Sequence, residues 1–498
     1  MNKAWLMFLL IPSLVLGQIQ LPLAVQTPPE GTSHQEMMHF LEEIIPQISF
    51  AEMEVAGSSH EKREIPVVYL PTRKEWASDA STVMIFAQQH GDEPSGKEAL
   101  LMLLHQMYRT SKFPYPQLNL ILLPMVNPDG NEKDQRRNAR EVDLNRNHLI
   151  LTEPETRILH QLFLKYQPHI TLDVHEYGMQ SWLKEGFIKD FGEQLDCISN
   201  PAIPPELKAL ALNQVLIPTL KMTRGRGVRA NRYLITRPSL KQFVRHSTTD
   251  INDGRNGFGI RLTLSFILEG LNGRSKSDRI WERAKQQLTL IESFLEICNR
   301  NSKAIFNRVT QIRHQYASQS PATVPIQADY TRKSSQPLEV TLVRTSDLQD
   351  TVLTIQDYRP EAEIIQAVST PTAYLISEPF PEIVKLLEQH QLTIKRLQSE
   401  QTFEVEAFEI TGEDTLHYES RTTIIPAGNF KKYRKAFPVG TLLVPASGLS
   451  VNLVVQMLEP SSFYGLSHYS EFQGLLQGRN YPVYRLYLSK ERLEQLLK

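Results

Sequence analysis

Cysteine is scarce in this 498-residue chain, which has only Cys197 and Cys298. Neither stands in a C-x-x-C arrangement. A thiolate-bound structural metal and a disulfide-dense scaffold are therefore excluded. The two residues could pair in an oxidising compartment or stay as buried thiols, and their spacing does not choose between these states. An excess of charge of either sign is also missing: 54 basic residues face 55 acidic ones. No block of like charge interrupts that balance, so nothing points to nucleic acid or an anionic membrane as partner. Beyond the N-terminus no apolar run is long enough to cross a bilayer, and no repeat of fixed period occurs.

What is present begins at the N-terminus. MNKAWLMFLLIPSLVLGQ has one early Lys3, an apolar run from Ala4 to Gly17, and small-residue spacing at Val15 and Gly17. That pattern reads as a secretory signal peptide over 1–17, cleaved before Gln18. A secreted or periplasmic location follows, with no transmembrane segment left after its removal. No Cys follows the run, so a lipoprotein anchor is not expected.

The pattern predicts a helix over His34–Ile45. From Ile65 onward, apolar strand-like runs alternate with helical ones. TVMIFAQQ precedes GKEALLMLLHQMYRT, and LNLILLPMVN precedes TEPETRILHQLFLKYQ. In the latter, Thr152 and Glu155 have capping-box spacing. HITLDVHEY and GIRLTLSFILEG are further strands, and a long helix runs from about Ser277 to Asn299. Short buried strands between helices predict an α/β domain whose mixed sheet is covered by helices on both faces. Near Ser318 the composition turns rich in Ser, Pro, Gln and Thr, and short strand-like runs follow. The expected division is a catalytic domain over 18–310, a linker over 311–335, and a smaller β-rich or α+β domain over 336–498.

Four segments carry candidate chemistry. In QQHGDEPSG, His90 and Glu93 lie three residues apart in a Gly/Pro turn after a strand, so an imidazole and a carboxylate can converge on one ion. In DVHEY, His175 can add a second imidazole. Two His and one Glu leave a fourth position open, as in catalytic rather than structural zinc sites. NPDG followed by RRNAREVDLNRN gathers guanidinium and amide groups suited to a carboxylate. Glu269 is a lone acid ending an apolar strand. Any one of these alone also fits an ordinary polar turn, a solvated basic loop or an exposed strand end.

In this order, the segments resemble the zinc metallocarboxypeptidase family, to which the pancreatic carboxypeptidases belong; the export signal suggests a secreted bacterial-type member. HGDE is similar to the family's H-x-x-E motif, NPDG and VDLNRN to its substrate loop, DVHEY and ILE to the strands bearing the third ligand and the catalytic glutamate. The resemblance covers roughly residues 65–299. It implies one Zn2+ held by His90, Glu93 and His175, with Asp143 orienting the ring of His90. It implies Asn145 and Arg146 as holders of a terminal carboxylate. Arg136, or its neighbour Arg137, would polarise the scissile carbonyl. Glu269 would be the general base for zinc-activated water. The implied activity is hydrolysis of a C-terminal amide bond in a peptide with a free carboxylate.

Some positions depart from the family pattern. No Tyr lies between His246 and Glu269 to match the family's cleft tyrosine, and Tyr233 is the nearest candidate. Asp250 and Asp253 could favour a basic released residue and Arg255 an acidic one, whereas surface exposure of all three is the plain alternative. Glu176 adjoins His175 but points to the opposite strand face. A cell-wall peptide hydrolase acting beside diaminopimelate is the nearest rival reading, with peptidoglycan peptide as substrate. A deacylase of the aspartoacylase type is disfavoured by the intact NPDG and LNRN segments. A non-catalytic zinc-binding relative is disfavoured by the presence of all three ligands and Glu269.

Overall fold

The structure, a computed structural model, describes residues 19–497 except 179, 190, 238–242, 274, 378–379 and 419–420. The expected signal peptide lies outside the described residues. Eight strands build the central sheet: β1 (Glu52–Ser58), β2 (Glu64–Leu70), β3 (Ser81–Ala87), β4 (Leu118–Leu123), β5 (Ile170–Tyr177), β6 (Glu193–Cys197), β7 (Ala230–Arg232) and β8 (Leu264–Leu271). Their order is β1-β2-β4-β3-β5-β8-β6-β7. The central four, β4-β3-β5-β8, are parallel, whereas β1, β2 and β6 join antiparallel to their inner neighbours, so the sheet is mixed.

The helices that cover it are α1 (His34–Ile44), α2 (Ser95–Thr110), α3 (Pro128–Lys133), α4 (Pro154–Tyr166), α5 (Gly254–Gly259) and α6 (Ile280–Ser318). β3 is buried throughout because both its faces are covered. Val83, Ile85 and Ala87 join a large core with α1, α2 and α6, while Met84 and Phe86 join a smaller one with α4 and α5. Alternation of side chains along a strand produces this split. On the smaller side Phe163 stacks on Phe258 with ring centroids 4.5 Å apart.

α1 starts with a full capping box between Ser33 and Glu36. The one expected between Thr152 and Glu155 does not form. Pro154, pre-set for the first helical position, starts α4 one residue later than that box would, with Glu153 as its N-cap. Thr152 Oγ1 instead accepts from Asn147 Nδ2 at 2.6 Å, and the side chain of Glu155 is buried.

α6 continues to Ser318, and a strand at Thr323–Asp329 follows. The smaller β-rich part is a six-stranded antiparallel sheet containing the long hairpin Gln401–Tyr418/Arg421–Phe437. Its apolar core is continuous with that of the larger part: Phe266 and Ile305 share one cluster with Val324, Tyr374 and Val455. A third small sheet crosses between the parts, pairing Phe187–Lys189 with Leu338–Arg344. Cys197 and Cys298 are both buried free thiols.

Candidate active site

The turn after β3 carries His90 and Glu93, and its shape depends on Gly91. A Cβ there would stand 2.0 Å from the backbone carbon of Gly130, so the turn lies directly on the NPDG segment. The amide of Gly91 donates to the carbonyl of Arg136 at 3.3 Å. β5 runs parallel to β3 and delivers His175 beside this turn. His90 Nδ1 lies 2.8 Å from Glu93 Oε1, His175 Nδ1 2.9 Å from Glu93 Oε2, and the two Nδ1 atoms are 3.1 Å apart.

The outer ring nitrogens are also held. His90 Nε2 donates to Asp143 Oδ1 at 3.1 Å, as the sequence suggests. His175 Nε2 donates to Asp173 Oδ1 at 2.8 Å. Such anchoring leaves each Nδ1 turned inward as a ligand atom. Burial opposes charge on His175 and Glu93, yet Asp173 and Glu93 raise the pKa of His175 well above its ordinary value. His90 and His175 in turn hold the carboxyl of Glu93 below its usual range. The cluster favours positive charge at its centre. Two imidazoles and a carboxylate, mutually within 4.8 Å, are the donor set of a catalytic zinc site with an open position.

The cluster opens into a cleft of about 480 Å³ lined by Arg136, Asn145, Arg146, Tyr233, Arg255 and Glu269 among others. Arg136 donates to Asp143 Oδ2 from Nε at 3.1 Å and to His90 Nδ1 from Nη1 at 3.1 Å. Arg137 instead turns to the carbonyl of Glu141 at 2.7 Å, so Arg136 is the one that meets the ligands. Asn145 is fixed by the amide of Gly254, which donates to its Oδ1 at 2.8 Å. Arg146 donates to the carbonyl of Asn145 at 2.6 Å. Glu269 stands on β8 in register with His175; burial raises its pKa to about 7.

The zinc carboxypeptidase family pattern matches residues 35–185. Carboxypeptidase 2 of Trichophyton rubrum is 26% identical over 471 residues, which is 91% of this chain and 86% of the relative. The Trichophyton tonsurans protein of the same name is 26% identical over 86% of this chain and 81% of its own length. Among solved structures, carboxypeptidase A from Helicoverpa armigera aligns with 55% of this chain and 75% of its own at 16% identity, with a TM-score of 0.43. The chain is thus similar to zinc carboxypeptidases, by family pattern over residues 35–185 and by sequence over most of its length.

In this chain His90, Glu93 and His175 make a zinc-dependent site of the carboxypeptidase type, with one Zn2+ for that ligand set. Glu176 stays apart from it: Arg283 Nε donates to its Oε1 at 2.9 Å and Nη2 to its Oε2 at 3.2 Å. Asp250, Asp253 and Arg255 are all buried, against the alternative of surface exposure. Asp253 caps α5 by accepting from the Asn256 amide, and Arg255 Nη2 reaches Asp253 Oδ2 at 3.2 Å.

Two residues that sequence reasoning passed over bear on the site. Asp173 had a visible signal, D-x-H on one strand face. Lys189 had none. Its ammonium donates to Gln194 Oε1 at 2.9 Å and to the Leu234 carbonyl at 3.1 Å. It also faces the rings of Tyr177 and Trp182 at 4.4 and 5.2 Å. Burial lowers its pKa to about 7. Tyr233 hydrogen-bonds Glu269, and burial with that neighbouring acid raises its hydroxyl well above its ordinary pKa.

Proposed function

We propose that this protein is a secreted or periplasmic carboxypeptidase that removes the C-terminal residue of peptides, with Glu269 as general base. The observation that carries the reading is the shared cleft: Glu269, Arg136 and Arg146 surround the His90–Glu93–His175 cluster. Bound zinc supplies Lewis acidity and brings the pKa of water to about 7. Around it, the chain's own groups divide the work. Arg146 and Asn145 hold the terminal carboxylate and so fix which amide bond reaches the cluster. Arg136 donates to the scissile carbonyl oxygen as negative charge develops there. Glu269, with a proton affinity near neutrality, accepts a proton and returns it to the leaving amine. Tyr233 takes the place of the family's cleft tyrosine, its hydroxyl beside Glu269.

Export rests on the leader-like residues 1–17, and the bacterial-type affiliation rests on that export reading; the relatives matched are fungal. Among the described residues no helix is long and apolar enough to cross a membrane. We take 18–310 as the catalytic part and 336–498 as the β-rich part, joined by 311–335. One observation favours the cell-wall alternative. Lys189, Arg255, Asp253 and Glu269 line the same cleft, and charges of both signs suit a zwitterionic end such as diaminopimelate.

The test uses the full mature chain, its zinc content, and substrates ending in aliphatic, basic, acidic or diaminopimelate residues. Glu269→Gln is expected to keep its zinc and lose about 10²–10⁴-fold in kcat/KM. Unchanged turnover in the variant would remove Glu269 from the mechanism. Zinc binding by the wild type without release of any terminal residue would leave a binding protein.

A further inference from the structure

A second cluster of metal-ligating side chains lies outside the cleft: His60, Glu153 and Glu155, with ligand atoms mutually within 4.8 Å. His60 belongs to the turn between β1 and β2. That turn is fastened to α3 by Asp129, which accepts from Ser59 Oγ at 2.8 Å, from Arg63 Nη1 at 2.7 Å and from the Glu61 amide at 3.0 Å. The fastening sets the imidazole against the start of α4, where His60 Nε2 donates to Glu153 Oε2 at 2.7 Å.

The two carboxylates are poorly compensated. Glu153 is 1% exposed and Glu155 is fully buried. Among the described residues neither meets a Lys or Arg. Asn138 Nδ2 donates to Glu153 Oε2 at 2.7 Å and reaches Glu155 Oε2 at 3.4 Å. Glu155 Oε1, released from the capping role its spacing suggests, is buried with no hydrogen-bond partner among the described residues. Buried acceptors are ordinarily satisfied, so an orphaned carboxylate oxygen beside a second acid and an imidazole calls for a proton or a cation. His60 keeps 27% of its side chain exposed, which gives an ion an entry side and room for water.

We propose that His60, Glu153 and Glu155 bind a second divalent ion, and that the ion is Zn2+. One imidazole nitrogen and two carboxylates make a mixed set that suits zinc. Calcium prefers six to eight oxygen donors, and magnesium keeps most of its water. The ion would join three parts of the chain: the β1–β2 turn, the start of α4, and, through Asn138, the loop that carries Arg136 and Asp143. Asn138 Oδ1 already organises that loop by accepting from the amides of Arg140 and Val142 at 3.0 and 3.1 Å. The role is structural and does not depend on the reaction catalysed in the cleft.

The test counts zinc by mass spectrometry on the full chain, stripped with chelator, reloaded with Zn2+ alone and desalted. The wild type is expected to hold two zinc ions per chain. His60→Ala, at a partly exposed position, is expected to hold one and keep its circular dichroism spectrum. The double variant His90→Ala/His175→Ala is also expected to hold one, and zinc should raise its melting temperature. Adding His60→Ala to that double variant should abolish both the ion and the rise. A wild type that takes up one zinc, kept in His60→Ala and lost in His90→Ala/His175→Ala, overturns the proposal and leaves Glu155 protonated. Two zinc ions in His60→Ala also overturn it. Loss of the cleft zinc alone would tell against the cleft and leave the second site standing.

Discussion

Asp173 has no contact with a substrate in the proposed scheme, yet it governs the ring of His175. Its Oδ1 accepts from Nε2 at 2.8 Å, and Gln89 Nε2 donates to both its oxygens at 2.9 Å. Asp173→Asn removes the charge and keeps the shape. Zinc affinity is expected to fall about 10–100-fold, with turnover recovering when zinc is in excess. A competition titration against a zinc-sensitive dye checks this, and unchanged affinity would deny Asp173 its orienting role. At this scale the ligands were legible because each motif is local: H-x-x-E in a turn and His at a strand end. Lys189 was not legible, because its neighbours come from Tyr177, Trp182, Gln194 and Leu234, which no short spacing connects. The choice between Arg136 and Arg137 also needed the fold, which turns one towards His90 and the other towards Glu141.

At the scale of elements, the turn after β3 and the short helix α3 act as one packed unit. Gly91→Ala forces a methyl group into the backbone of Gly130, where no rotamer can relieve it. Destabilisation of about 3 kcal/mol or more is expected, together with loss of zinc. Thermal melting and metal analysis of the variant check both. Retained zinc with an unchanged melting temperature would show that the two segments part easily. The alternation of apolar strands and helices made the central sheet readable, since buried parallel strands form continuous apolar runs. The start of α4 was misread because a proline outweighed a capping-box spacing. α6 runs 39 residues, well past the Asn299 that sequence pattern suggests. Buried residues recur along it as far as Ile312, but its later turns face the C-terminal part, which the local pattern does not reveal.

At the scale of the molecule, four buried histidines couple folding to acid. Burial lowers His148 and His246 to about 4 and His390 to about 3, and puts His160 well below its ordinary value. The unfolded chain takes up protons at these positions below pH 6.5, whereas the folded chain refuses them until pH falls to about 4 or lower. Their contribution to stability is therefore complete above pH 6.5 and declines as pH drops towards 4, by about 1.4 kcal/mol per pH unit for each histidine. Denaturant midpoints at pH 7 and pH 5 check the direction. His390→Gln should flatten the slope, because a glutamine can still accept from Arg261 and donate to the Leu149 carbonyl, as His390 does at 3.0 and 2.7 Å. A slope that stays the same would exclude His390 from the effect.

The backbone pairing of Phe187–Lys189 with Leu338–Arg344 has a consequence for descent. One wall of the cleft is stitched to a segment about 150 residues further along the chain, remote from every motif that marks the family. Lineages diverging in diet can therefore reshape that wall through changes near residue 340 while the metal ligands stay untouched. Exchanging residues 338–355 between relatives would then shift the wall that carries Lys189 while leaving Asp253, Arg255 and the metal ligands in place.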